Sequence, residues 1–180
     1  MVDASLGGNF AAHFGIDHSD RVCRIVLIAS SSLGPFRPPA ALLALLRYMW
    51  RPSPAGFDRF FRYVLHDPER VLPAIGEWFA ALRAYHIDRT KQPSLRRANA
   101  QLLRRIGMRR IPADRLGKIT VPVALIWGRN DRVMRFRIGE EASSRFGWAL
   151  YPIDDADHAS LFDQPDASLK ALRAAMGEGG

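Results

Sequence analysis

Two apolar runs constrain this chain more than any other feature: Val22 to Ala29 and Ile119 to Gly128. Each has the length of a strand, is rich in β-branched residues and alternates little between apolar and polar. That is the pattern of a strand covered on both faces. A shorter strand signal follows at Trp148 to Ile153. Helical patterns lie between and after them, over Leu6 to about Gly15, Phe136 to Phe146 and Pro165 to Met176. Strands separated by helices of crossover length pair in parallel. The expectation is an α/β fold, and 180 residues with 48% hydrophobic content suffice for one ordinary core.

Residues 36–115 read differently, as helices without a strand pattern. Pro38-Pro39 opens an apolar helix through Trp50, and Pro52-Ser53-Pro54 starts another over Gly56 to His66. Asp67-Pro68-Glu69 is a helix start, with an N-cap acid, proline at the first position and a second acid in the first turn. That helix runs through Trp78 and Phe79 toward Tyr85, and a further one covers Ser94 to Ile106.

The formal charge is +8, carried almost wholly by arginine; the lysines are Lys91, Lys118 and Lys170. The densest basic block, Arg96-Arg97 through Arg104-Arg105 to Arg109-Arg110, is interleaved with Leu95, Ala98, Leu102, Leu103 and Ile106. A nucleic-acid groove calls for exposed aromatics or small polar readers among such charges. The block therefore reads as the solvated face of an amphipathic helix, with no nucleic-acid partner expected. A basic helical nucleic-acid binder is the rival, and attraction of an anionic substrate is a further option.

Cys23 is the sole cysteine, so no intrachain disulfide forms; within a strand-like run it reads as a half-buried core thiol. No Cys-x-x-Cys, His-Glu-x-x-His or phosphate-cradling glycine motif occurs, so no metal and no cofactor is expected. Met1 is followed by no basic leader, and the longest apolar run, Pro38 to Leu46, is too short for a bilayer. A cytoplasmic protein without membrane contact is the expectation.

Three residues carry chemistry in a telling order. Ser5 stands in Asp3-Ala4-Ser5-Leu6-Gly7-Gly8, a hydroxyl on a tight turn opening a helix. Asp131 follows the second buried strand through Gly128-Arg129-Asn130, and His158 follows the next strand through Asp154-Asp155-Ala156-Asp157. Each lies where a parallel-strand module exposes side chains, at a strand's carboxyl end. A serine hydroxyl needs a base within hydrogen-bond reach, and a carboxylate on the base's other nitrogen fixes its tautomer. Blander readings stay open: Ser5 as a helix N-cap, Asp131 as a turn residue, His158 as a solvated loop histidine. His13, His18, His66 and His86 read as structural.

The serine turn resembles the G-x-S-x-G nucleophile elbow of the α/β-hydrolase superfamily, with Asp3 standing at the first glycine, a position that asks for a small residue. The strand ending Trp127-Gly128 with Asp131 beyond it, and His158 with Pro165 seven residues on, resemble that superfamily's acid and histidine loops. So does the order Ser, Asp, His. The resemblance implies catalytic Ser5, Asp131 and His158, with the Leu6 backbone N–H as one oxyanion donor. It implies an α/β fold made of the C-terminal part of the superfamily's domain. Residues 1–35 would hold the elbow, helix and strand, 36–115 a helical cap, and 116–180 the acid and histidine loops.

A full domain of this kind places about 80–100 residues before the elbow, at ordinary element lengths. The loop supplying a second oxyanion donor, and the elbow strand itself, are therefore expected to be missing. The strand at Val22–Ala29 would then be left with an unpaired edge. The expected function is nucleophilic hydrolysis of a small hydrophobic ester, acyl or carbon–carbon substrate, weak or absent in this chain alone. The alternative is a non-catalytic relative that binds a small molecule or partner through the cap cleft. Oligomeric state is left open.

Overall fold

The computed structural model describes residues 1–34, 39–102 and 109–177. Four strands form one parallel sheet in the order β1 (Val2–Ala4), β2 (Ile25–Ile28), β3 (Val123–Gly128), β4 (Ala149–Ile153). The register aligns Asp3 with Leu27, Leu27 with Leu125, and Leu125 with Leu150. Every residue of β2 and β3 is buried, as the unalternating apolar runs require. Ile25, Leu27, Val123 and Leu125 pack on one face against Ala11 and Ala12 of α1 (Leu6–Asp17) and Ala142 of α7 (Phe136–Phe146). Val26, Ile28, Ala124 and Ile126 pack on the other against Ala171 and Ala175 of α9 (Pro165–Met176), which follows the short α8 (Ser160–Asp163).

Two expectations are corrected. The elbow strand is present, as β1, which gives β2 a parallel neighbour on the edge expected to be bare. Three residues suffice because the pairing is made by backbone, including Val26 N–H to Met1 O at 2.8 Å. Cys23 is exposed and lies before the strand, which begins only at Ile25. The run from Val22 is apolar, but pairing with β3 starts at Ile25 opposite Val123.

Between β2 and β3 the chain runs through α2 (Pro39–Trp50), α3 (Pro54–Tyr63), α4 (Pro68–Lys91), α5 (Pro93–Leu102) and the short α6 (Ala113–Leu116). The helix starts follow from capping chemistry: Ser53 Oγ accepts from Gly56 N–H at 3.1 Å, and Asp67 Oδ1 from Arg70 N–H at 3.1 Å. Helix α4 outlasts its expected end at Tyr85 and bends at Gly76, whose φ of 45° a residue with a Cβ rarely adopts. An aromatic cluster of Tyr48, Phe57, Phe61 and Phe79 holds α2, α3 and α4 together. It continues into Trp127, Met134 and Ile138 at the carboxyl end of β3, so this helical layer is seated on the rim of the sheet.

No described residue of α5 is buried. Its arginines Arg96 and Arg97 are exposed, as the solvated-face reading requires. Leu95 is only half-covered, and Ala98 is open. The boundary expected near residue 35, and Leu103, Arg104, Arg105 and Ile106 of the basic block, lie outside the described residues. Among those described, no helix is long and apolar enough to cross a membrane.

Candidate active site

The parallel sheet puts the carboxyl ends of β1, β3 and β4 on one rim, and each delivers one side chain there. Ser5 follows β1 directly, at φ 50° and ψ −117°. This is a conformation that side chains with a Cβ resist, at a cost of about 1–3 kcal/mol. Two bonds over-determine it: Ser5 N–H donates to Ile28 O at 2.8 Å, and Ser31 N–H to Ser5 O at 3.0 Å. The serine makes no side-chain cap to α1, so the N-cap reading does not describe its hydroxyl.

The glycines make the turn possible. A Cβ on Gly8 would lie 2.5 Å from Ser30 Oγ, and one on Gly7 would lie 1.9 Å from Asp3 Oδ1. The space given up by Gly7 is thus taken by the Asp3 carboxylate. Asp3 is half-buried, and its Oδ1 accepts from Ala4 N–H at 3.1 Å. An acid is accommodated at this position because Gly7, the residue it packs against, carries no side chain.

Asp131 closes the turn after β3. Its Oδ1 accepts from Val133 N–H at 2.8 Å and Met134 N–H at 2.7 Å, which leaves Oδ2 aimed outward along the rim. Trp127 Nε1 donates to Met134 O at 2.6 Å and pins the far side of the loop. Asp131 is buried, and that desolvation raises its carboxyl above the usual range; hydrogen bonding and charge from His158 pull it partly back. Gly128 lets the histidine loop cross close by, since a Cβ there would lie 2.3 Å from Asp157 O.

His158 joins the two. Its Nδ1 lies 3.0 Å from Asp131 Oδ2 and its Nε2 lies 2.8 Å from Ser5 Oγ. Ser5 and His158 are 153 positions apart in the chain. A carboxylate on Nδ1 holds that nitrogen protonated, which leaves Nε2 as the lone-pair acceptor facing the hydroxyl. The Leu6 N–H stands at the first position of α1, where helix N–H groups lack intrahelical partners and the helix dipole is positive. The family model described as alpha/beta hydrolase family matches residues 4–171, a span that takes in all three of these side chains. The chain belongs to the alpha/beta hydrolase family.

The relatives and structural neighbours of this chain carry names of differing chemistry. It is 26% identical to the pimeloyl-[acyl-carrier protein] methyl ester esterase of Vibrio atlanticus (strain LGP32), over 95% of this chain and 67% of that protein. It is 27% identical to the 2-hydroxy-6-oxononadienedioate/2-hydroxy-6-oxononatrienedioate hydrolase of Cupriavidus pinatubonensis (strain JMP 134 / LMG 1197), over 77% of this chain and 48% of that protein. Among solved structures, 2-hydroxy-6-oxo-6-phenylhexa-2,4-dienoate hydrolase from Rhodococcus sp. strain RHA1 superposes with a TM-score of 0.79 at 20% identity, covering 98% of this chain and 63% of that one. The chain thus spans about half to two thirds of the length of these proteins.

A cavity of about 270 Å³ opens within the helical layer, lined by residues of α2, α3, α4 and α5 and reaching Leu6 at the start of α1. Its walls are mostly apolar, with Met49, Phe57 and Phe61 prominent. Its polar end is built by Tyr48 and Thr90: Tyr48 OH lies 3.2 Å from Thr90 Oγ1, which donates to His86 O at 2.7 Å. Burial raises the Tyr48 hydroxyl above its usual value, partly offset by the Thr90 bond. His86 stacks on the Phe57 ring, and desolvation, then the Arg89 charge, hold it below the ordinary imidazole value. Among the described residues no group of three or more His, Cys, Asp or Glu side chains could hold a metal ion.

Sequence reading missed the surroundings of the histidine loop. Asp157 and Asp163 are fully buried, and Arg132 pairs with Asp157. Arg132 lies 25 positions from Asp157 and His66 lies 97 from Asp163, and no local pattern marks these pairings.

Proposed function

We propose that this protein is a serine hydrolase in which Ser5 is the nucleophile, His158 the general base and Asp131 the acid that orients it. The observation that carries the proposal is the continuous relay from Ser5 Oγ to His158 Nε2 at 2.8 Å and from His158 Nδ1 to Asp131 Oδ2 at 3.0 Å. In the first step His158 takes the hydroxyl proton as Ser5 Oγ attacks a carbonyl carbon. Asp131 stabilises the imidazolium, and the Leu6 N–H donates to the developing oxyanion. His158 then returns the proton to the leaving group, and a water repeats the sequence to release the acid.

The cavity beside Leu6 supports a small, largely apolar acyl group as substrate, its walls fitting an aromatic ring or short chain. Both an ester and a carbon–carbon bond next to a carbonyl suit this arrangement, in keeping with the esterase and the hydrolase among the relatives. In this reading the Leu6 N–H donates to the oxyanion, and removing a donor of this kind costs about 10²–10³ in turnover. No nucleic acid, membrane or cofactor has a part in this reading, and a cytoplasmic setting is proposed with it.

The test is labelling by a fluorophosphonate, read as an intact-mass shift mapped to Ser5, alongside hydrolysis of p-nitrophenyl acyl esters. Labelling lost in Ser5→Ala and in His158→Ala supports the assignment. A folded protein whose Ser5 never labels would refute it and favour a binding protein using the same cavity.

A further inference from the structure

Beyond the three side chains of the relay, a second set of buried acids holds the histidine loop, and the proposed reaction makes no direct use of them. Asp157 precedes His158 and is fully buried. Its Oδ1 accepts from His158 N–H at 2.7 Å and from Arg132 N–H at 2.9 Å, and its Oδ2 pairs with Arg132 Nε. Asp157 therefore ties the backbone of the proposed base to the residue next to the proposed acid. Its own N–H donates to Asp163 Oδ2 at 2.9 Å.

The same set reaches into the helical layer. Arg132 Nη2 donates to Leu65 O at 2.8 Å, and His66 N–H donates to both Asp163 oxygens at 2.9 and 3.0 Å. Ala159 N–H donates to Val64 O at 2.9 Å, and Arg70 Nη2 to Asp163 O at 2.6 Å. The turn between α3 and α4 is thus bonded to the acid loop and to the histidine loop at once. A buried carboxylate is retained without large cost only when its lone pairs are filled, and here they are filled by the groups whose placement sets the relay.

We propose that Asp157, braced by Arg132 and Asp163, is a positioning residue that fixes the His158 ring between Ser5 and Asp131 and locks the α3–α4 turn to the same frame. The role rests on the reading of Ser5, His158 and Asp131 as a relay, and acts through the His158 backbone and not through substrate. In Asp157→Asn one carboxylate oxygen becomes an NH₂ group. Whichever way the amide turns, a donor faces either Arg132 Nε or the two backbone N–H groups.

The experiment compares wild type, Asp157→Asn and Arg132→Gln by proton NMR of the downfield His158 Nδ1–H signal, assigned by its loss in His158→Ala. The rate of fluorophosphonate labelling at Ser5 is measured in parallel. Asp157→Asn is expected to broaden or abolish the signal and to slow labelling at least about tenfold, following the loss of alignment. Arg132→Gln keeps the Asp157 bond to His158 N–H and is expected to weaken both readouts less; it carries the test should Asp157→Asn not fold. A purely structural role would lower Tm while leaving the signal and the labelling rate of the folded protein unchanged, and that result overturns the proposal. An intact wild-type signal lost in Asp157→Asn, with Ser5 unreactive throughout, would refute the hydrolase reading and leave the positioning role standing.

Discussion

Replacing Asp131 with asparagine isolates the electrostatic part of the relay from its architecture. The asparagine Oδ1 can still accept from the Val133 and Met134 N–H groups, so the loop after β3 keeps its bonds. Toward His158 the variant presents an NH₂ group in place of Oδ2. That donor meets the unprotonated form of Nδ1, which puts the ring proton on Nε2, facing Ser5 Oγ. The base is then unable to take the serine proton. The lost attraction between an imidazolium and a carboxylate 3.0 Å apart amounts to about 5.5 kcal/mol at an effective dielectric of about 20. At about 1.4 kcal/mol per factor of ten, that is a loss of about 10⁴ in rate. Forcing the wrong tautomer in a serine relay has a cost of the same order, about 10⁴. Stability moves the other way: burial already raises the Asp131 carboxyl, so a neutral group at this site is expected to leave Tm at neutral pH unchanged or higher. The assay is the labelling rate at Ser5 with Tm measured on the same samples. An Asp131→Asn protein that stays folded and labels at more than a tenth of the wild-type rate would refute the reasoning.

Three further outcomes are expected. Phe57→Ala, which empties the centre of the Tyr48–Phe61–Phe79 cluster, should destabilise by about 3–5 kcal/mol in denaturant titrations. Among esters tested on the folded variant, it should shift preference toward bulkier acyl groups. Gly128→Ala would set a methyl 2.3 Å and 2.5 Å from the Asp157 and Ala156 carbonyl oxygens. Overpacking against backbone should cost about 1–3 kcal/mol or more, visible as a Tm several degrees lower, and an unchanged Tm would contradict the close crossing. Burial raises Asp163 as well as Asp131, so the native state holds protons that the unfolded chain has already released. The stability they contribute therefore falls as pH rises from the ordinary carboxylate range through the raised values. Tm of wild type relative to Asp163→Asn should increase as pH is lowered through that window; the opposite slope would contradict it.

Much of the architecture is written in local patterns. Helices α7 and α9 match their expected spans, and Asp67 caps α4 as its Asp-Pro-Glu start implies. The convergence of Ser5, Asp131 and His158 is legible because a parallel sheet places strand ends on one rim, so order and position along the chain carry spatial meaning. What escaped is what depends on partners far away in sequence. Strand β1 is too short to show a period and exists through its pairing with β2. Cys23 sits in an apolar run whose first residues find no strand to pair with. Helix α5 has the apolar spacing of a packed helix, yet none of its described residues is buried. The Arg132–Asp157–Asp163 set is invisible for the same reason, since charge in a loop reads as solvation until the fold buries it.

The backbone at Ser5 has a consequence for any attempt to harden this protein. Glycine would occupy φ 50°, ψ −117° with ease, whereas serine is held there by bonds to Ile28 and Ser31. A screen that selects for heat resistance alone is therefore drawn toward Ser5→Gly, a sturdier molecule with no hydroxyl to offer. Durability and reactivity compete at that single peptide unit, and engineering for one has to guard the other.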